Sequence, residues 1–157
     1  MNSYLTLKLL HILSAVVVAG TGTGLAFFMF MANRSDSHEA IKVTAKNVIL
    51  GDWIFTLPGV ITLIITGPLL MLKLGYSFHS PWFYWVSGLF IFIGACWIPV
   101  LRIQYKLYGL SKSIEHDSDA LLQFKKLMKY WTLLGAAAFS AILVIFWLMI
   151  FKPISVV

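Results

Sequence analysis

The side chain best placed for chemistry is His11. It lies inside an uncharged apolar run, about one helical turn from its end. An ionisable residue within such a run is costly and asks for a role. Neutral imidazole is the common axial ligand of haem iron and a good ligand for copper or zinc. On a helix His11 shares a broad face with Ser14, Ala15, Val18 and Gly22. The alternative is a neutral histidine bonded to a hydroxyl or carbonyl near the membrane interface. His79, just before the third expected span, is a second candidate ligand, at a depth differing from that of His11 by roughly 10 Å. His38 and His116 fall in charged loops and read as solvated.

Asp52 is the one carboxylate that abuts the core of an apolar run. It reads as the cap of a helix restarting there, as the partner of Arg102 or Arg34, or as a proton-relay group. With Asn33, Arg102 and Gln104 it would form a polar inner cluster. HExxH, CxxC, Gly-rich phosphate loops and paired carboxylates are absent from the sequence, so soluble-type hydrolase or nucleotide chemistry has no support. The single cysteine, Cys96, reads as a small packing residue.

The elements that must hold these residues are membrane spans. Four stretches lack Asp, Glu, Lys and Arg: Leu9–Asn33 (25 residues), Trp53–Leu72 (20), Leu74–Leu101 (28) and Tyr130–Phe151 (22). About 20 apolar residues in a helix cross roughly 30 Å of hydrocarbon. Of 157 residues, 60% are hydrophobic and 11% charged, which suits a polytopic membrane protein and leaves no length for a separate soluble domain. Lipid satisfies no backbone hydrogen bonds, so continuous apolar runs must be helical rather than barrel strands. The first run is too long for the apolar core of a secretion signal and reads as a retained span. The expectation is a single all-α domain, a four-helix transmembrane bundle with spans at about 5–31, 48–72, 82–103 and 130–151.

Charge orients the bundle. Lys8, Lys73 and Lys152 lie at one end; Arg34, Lys42, Lys46, Arg102, Lys106, Lys112, Lys125, Lys126 and Lys129 lie at the other. Nine basic residues against three predict cytoplasmic long loops and periplasmic termini in a bacterial inner membrane. The net charge of +6 thus sits at helix ends and does not indicate nucleic acid. Gly75 to Ser80 reads as a tight turn. Ser35 or Ser37 would cap a short helix in the first loop. The third loop, with Leu121, Phe124 and Met128 beside Lys125, Lys126 and Lys129, reads as a helix on the anionic inner leaflet, a partner surface, or a solvated hairpin.

Small residues mark packing faces. Gly20 and Gly24 in the first span, Ser87, Gly88, Gly94 and Ala95 in the third, and Ala136/Ser140 and Ala137/Ala141 in the fourth allow close helix contact or leave room for a flat ligand. Pro58, Pro68 and Pro99 predict kinks, with Gly67-Pro68 the expected break. Thr56, Thr62 and Thr66 would bond the carbonyls so exposed.

The segments LKLLHILSAVVVAGTGTGLAFF (7–28), GDWIFTLPGVITLIITG (51–67), SPWFYWVSGLFIFIGACWIPVLRIQ (80–104) and FWLMIFKP (146–153) resemble an uncharacterised bacterial family of predicted four-helix integral membrane proteins. More distantly, the LKxLHI opening is similar to the haem-binding protoporphyrinogen oxidases and to the copper-resistance D membrane family. Those families carry a histidine at this place in their first helix, which maps to His11. The oxidases also use a lysine in their third helix. The third span here has none, and Arg102 stands only at its end, so the same enzyme activity is not implied. The resemblance leaves haem binding through His11 possible, with the other ligand open; the leading expectation is a small redox protein that holds haem b between helices through His11, with His79 and Gly22 as further candidate contacts, and exchanges electrons with quinone or a redox partner. The alternative is a non-enzymatic membrane subunit, self-associating or joined to another chain, or a metal or proton transport component.

Overall fold

The computed structural model describes residues 3–35 and 37–152. The chain is all helix: α1 (Ser3–Arg34), α2 (His38–Gly51), a π-helical segment (Asp52–Thr56), α3 (Leu57–Leu74), α4 (Pro81–Leu110) and α5 (Ser118–Phe151). α2, the π segment and α3 run on as one helix, so four helices are long and apolar enough to cross a membrane. Ser37 caps α2 by accepting from the Ala40 N–H at 3.2 Å. Gly75 ends α3 in the left-handed conformation at φ 68°, which a glycine adopts without a Cβ penalty. Ser80 then caps α4, accepting from the Phe83 N–H at 3.3 Å, with Pro81 in the first turn.

The helices are longer than the spans expected from charge. Lengths of 30 to 37 residues correspond to roughly 45–55 Å, well beyond the hydrocarbon thickness. The surplus lies mainly at the end bearing the two loops. α5 is continuous from Ser118, so residues 118–129 do not lie on a leaflet before the fourth span. Phe124 and Met128 are buried there among Met29, Ala32, Ile41, Ala45, Val48, Leu107, Ile114 and Trp131. The basic residues Lys125, Lys126 and Lys129 stay exposed. The apolar stripe that suggested a leaflet-bound helix is satisfied by its neighbours instead.

α1 packs antiparallel to the α2–α3 helix, and three glycines set the approach. A Cβ on Gly51 would lie 2.9 Å from Leu25 Cδ1, and one on Gly59 2.6 Å from Val18 Cγ2. One on Gly67 would lie 3.6 Å from His11 Cε1. The close-contact glycines are therefore in the second span. Gly20, Gly22 and Gly24, together with Gly88, Gly94 and Gly135, have nothing within 4 Å of a built Cβ, so they do not serve helix contact within this chain. α4 and α5 form the second antiparallel pair. Cys96, Val100, Gln104 and Leu107 face inward on α4, and Ala120, Phe124, Met128 and Trp131 on α5, at the three- and four-residue steps of interlocking helices.

The two pairs meet at the loop end, through α2 against α4 and α1 against α5. Elsewhere they diverge: among the described residues α3 packs on α1 and the π segment and on no other helix. Helix α4 continues through Pro99, and α3 through Gly67-Pro68, where a break was expected. The helical irregularity falls instead just before Pro58. That proline has no N–H for the Ile54 carbonyl, and its ring would crowd that carbonyl in a regular helix; the wider π turn relieves both. Thr62 Oγ1 donates to the Pro58 carbonyl at 2.8 Å and Thr66 Oγ1 to the Thr62 carbonyl at 2.7 Å.

Gly59→Ala forces a methyl onto a stiff β-branched side chain. Overpacking of this kind costs about 1–3 kcal/mol. The variant is expected to melt below the wild type in detergent, with Val18→Ala restoring most of the loss.

Candidate functional site

His11 sits half-buried on α1 against α3. Its Nδ1 lies 2.8 Å from Thr66 Oγ1. The Thr66 hydroxyl already gives its proton to the Thr62 carbonyl. It can therefore only accept from the ring, so Nδ1 carries the proton and Nε2 keeps a free lone pair. Thr66 is 3% exposed, and Gly67 lets the ring edge lie against the helix backbone. The hydroxyl partner was one of two outcomes expected of this histidine. It fixes both the tautomer and the ring plane, as an outer hydrogen bond does for a ligating imidazole.

The other residues expected near His11 are not gathered there. His79 is exposed in the turn between α3 and α4, where its backbone N–H donates to Ser77 Oγ at 3.1 Å. Gly22 is exposed and faces open space. Among the described residues, no group of three or more His, Cys, Asp or Glu side chains is placed to hold a metal ion.

A second polar centre lies toward the loop end. Asp52, on the π segment, is 6% exposed, and Gln104 on α4 is 4% exposed. Gln104 Nε2 donates to Asp52 Oδ2 at 2.7 Å. The backbone passes helically through Asp52, so it is not the cap of a restarting helix. Arg102 and Arg34, expected as its ionic partners, are exposed; the ion pair formed among the described residues is Lys42 with Glu39 at 3.0 Å. The helix phase explains this: Gln104 faces the α2 and α5 side of α4 with Val100 and Leu107, and Arg102 lies off that face. Among the described residues four buried side-chain polar atoms have no hydrogen-bond partner: Thr56 Oγ1, Trp97 Nε1, Gln104 Oε1 and Trp131 Nε1. Gln104 and Trp131 line a narrow gap with Met29, Ala45, Val48 and Leu107.

The terminal end is tied by hydrogen bonds that side chains donate. Trp82 Nε1 donates to the Leu148 carbonyl at 2.9 Å, and Lys152 Nζ donates to Tyr76 Oη at 2.5 Å. Lys73 Nζ donates to Ser3 Oγ at 3.0 Å, joining the ends of α1 and α3. Sequence reasoning missed the role of Gly51, Gly59 and Gly67, although their regular eight-residue spacing is visible. It also missed Trp131 beside Gln104, which no local signal marks.

Four long apolar helices with buried polar groups between them define a polytopic integral membrane protein. Residues 5–153 match the model of a family described as predicted integral membrane protein (DUF2269), and the chain belongs to that family. No curated protein and no solved structure matches the chain.

Thr66→Val removes the acceptor of the His11 proton while keeping shape. A loss of about 0.5–1.5 kcal/mol in stability is expected. Thr66→Ser should leave stability near that of the wild type, and thermal melts of the two variants check this.

Proposed function

We propose that the chain is a small membrane haem protein in which His11 is an axial ligand of haem b. The observation that carries this reading is the state of the imidazole. Nδ1 is held by Thr66, and Nε2 has no hydrogen-bond partner among the described residues. A lone pair facing hydrocarbon without a partner is unfavourable, and coordination would satisfy it. Among the described residues α3 packs on α1 and the π segment and on no other helix, which would leave a side of α3 free for a flat apolar group.

The residues present fit one ligand. His79 is not placed as a second, so a further ligand would have to come from another copy of the chain or another molecule. Haem b would supply a one-electron couple. The protein's part would be to fix the imidazole plane through Thr66, exclude water from that half of the bundle, and bring quinone or a redox protein near. The distribution of basic residues supports periplasmic termini in a bacterial inner membrane.

The reading is tested by absorption spectra of protein purified gently from haem-replete cells. A Soret band that shifts on dithionite reduction is expected in the wild type and should be lost in a folded His11→Ala variant. A colourless wild type would leave His11 as a structural histidine and favour the non-enzymatic subunit. For orientation, single cysteines at Ser77 and Ser113 in a Cys96→Ala background are expected to differ. An impermeant maleimide added to spheroplasts should label the first and spare the second.

A further inference from the structure

Asp52 and Gln104 share one hydrogen bond, and the amide oxygen of Gln104 is left unpaired. A carboxylic acid and a primary amide pair edge to edge through two bonds. The amide N–H donates to one carboxyl oxygen, and the acid O–H donates to the amide oxygen. The first bond is present, from Gln104 Nε2 to Asp52 Oδ2 at 2.7 Å. The acceptor of the second, Gln104 Oε1, is buried and has no donor. Turning the amide over does not remove the requirement. It would place Oε1 2.7 Å from Oδ2, a contact that two acceptors make only across a proton.

We propose that Asp52 and Gln104 form a proton-binding site, in which Asp52 carries a proton on its free carboxyl oxygen and donates it to Gln104 Oε1. The site lies apart from His11 and does not depend on the haem reading. Three observations carry it. The carboxyl group is 6% exposed and enclosed between helices, where an uncompensated charge is unfavourable. No cation is bonded to it: Arg34 on α1, Lys42 and Lys46 on α2, Lys73 on α3, Arg102 and Lys106 on α4, and Lys125, Lys126 and Lys129 on α5 all lack an ion pair with Asp52. The narrow gap beside Gln104 is otherwise lined by Met29, Ala45, Val48, Leu107 and Trp131, none of which is hydrogen-bonded to Gln104 Oε1. A proton fits without adding volume.

The π turn is what allows the pairing. It adds one residue to the helical circuit at Asp52, so the carboxyl reaches toward α4 while Val48 and Gly59 stay in their contacts on either side. The reversible step is a proton transfer alone. The Asp52 O–H bond breaks and water at the loop end takes the proton as hydronium, leaving the carboxylate with the single Gln104 N–H; return of the proton from water restores the second bond.

The test is infrared spectroscopy of the full chain in lipid vesicles at neutral pH. A protonated carboxyl C=O stretch is expected above the amide band, shifting downward with carbon-13 carboxyl-labelled aspartate and downward again, by less, in deuterium oxide. Asp52→Asn should abolish it. That variant should also be at least as heat-stable as the wild type, because its amide supplies both bonds of the ring. Gln104→Leu should move the band upward, since its hydrogen bond to the amide is gone; a carboxyl with only a packing role there would not shift. Absence of any aspartate-derived band in the wild type would overturn the proposal without recourse to a variant, as would a band that Asp52→Asn leaves in place.

Discussion

The interlocked apolar side chains at the loop end hold the four helices together. Apolar surfaces attract one another where the competing medium is water, and lipid tails offer no such drive. The helices outreach the hydrocarbon on the side of the two long loops, and there the fully enclosed side chains Met29, Val48, Leu107 and Phe124 gather from α1, α2, α4 and α5. Where the helices run through lipid, contacts reduce to pairs. α1 holds α3 through small residues, α4 holds α5 through a regular seam, and α3 keeps apart from α4. The same arrangement leaves His11 half-buried and encloses Gln104.

Within the α1–α3 pair, the backbone approach is set by residues without side chains. Val18 and Leu25 occupy the space that a Cβ on Gly59 or Gly51 would need. This closeness brings the His11 ring to the Thr66 hydroxyl. Thr66 in turn is locked by the Thr62 carbonyl, so a proline-interrupted, threonine-rich helix becomes a fixed acceptor for one imidazole proton. Helix irregularity is used twice in the second span. Pro58 induces the π segment that carries Asp52, and Thr62 caps the carbonyl of Pro58 itself.

The two polar centres differ in character. His11 is half-buried, with one nitrogen bonded inside the chain and the other open to whatever lies beyond it. Asp52 is closed in by Gln104 and the neighbouring helices, and its environment offers hydrogen bonds but no counter-charge. An open nitrogen suits an external ligand, and an enclosed acid suits the smallest one.

By itself the sequence determined the medium, the number of spans and the two side chains that lipid makes expensive. Uncharged runs of 20 or more residues leave helices as the sole way to satisfy the backbone in hydrocarbon, and His11 and Asp52 stand out because each is costly there. Helix ends followed from local chemistry too: Ser37, Ser80 and Gly75 act where their types suggest. Partners were decided by tertiary structure. Whether Asp52 meets Arg102 or Gln104 depends on helix phase and on a π turn that adds a residue to the circuit, and charge pattern carries neither. Which glycines lie at a contact depends on which helix faces which: Gly20 and Gly24 match the expected motif and face nothing, while Gly51, Gly59 and Gly67 face α1. Small residues permit close approach on any face, and only the arrangement of the neighbouring helices selects the face that is used.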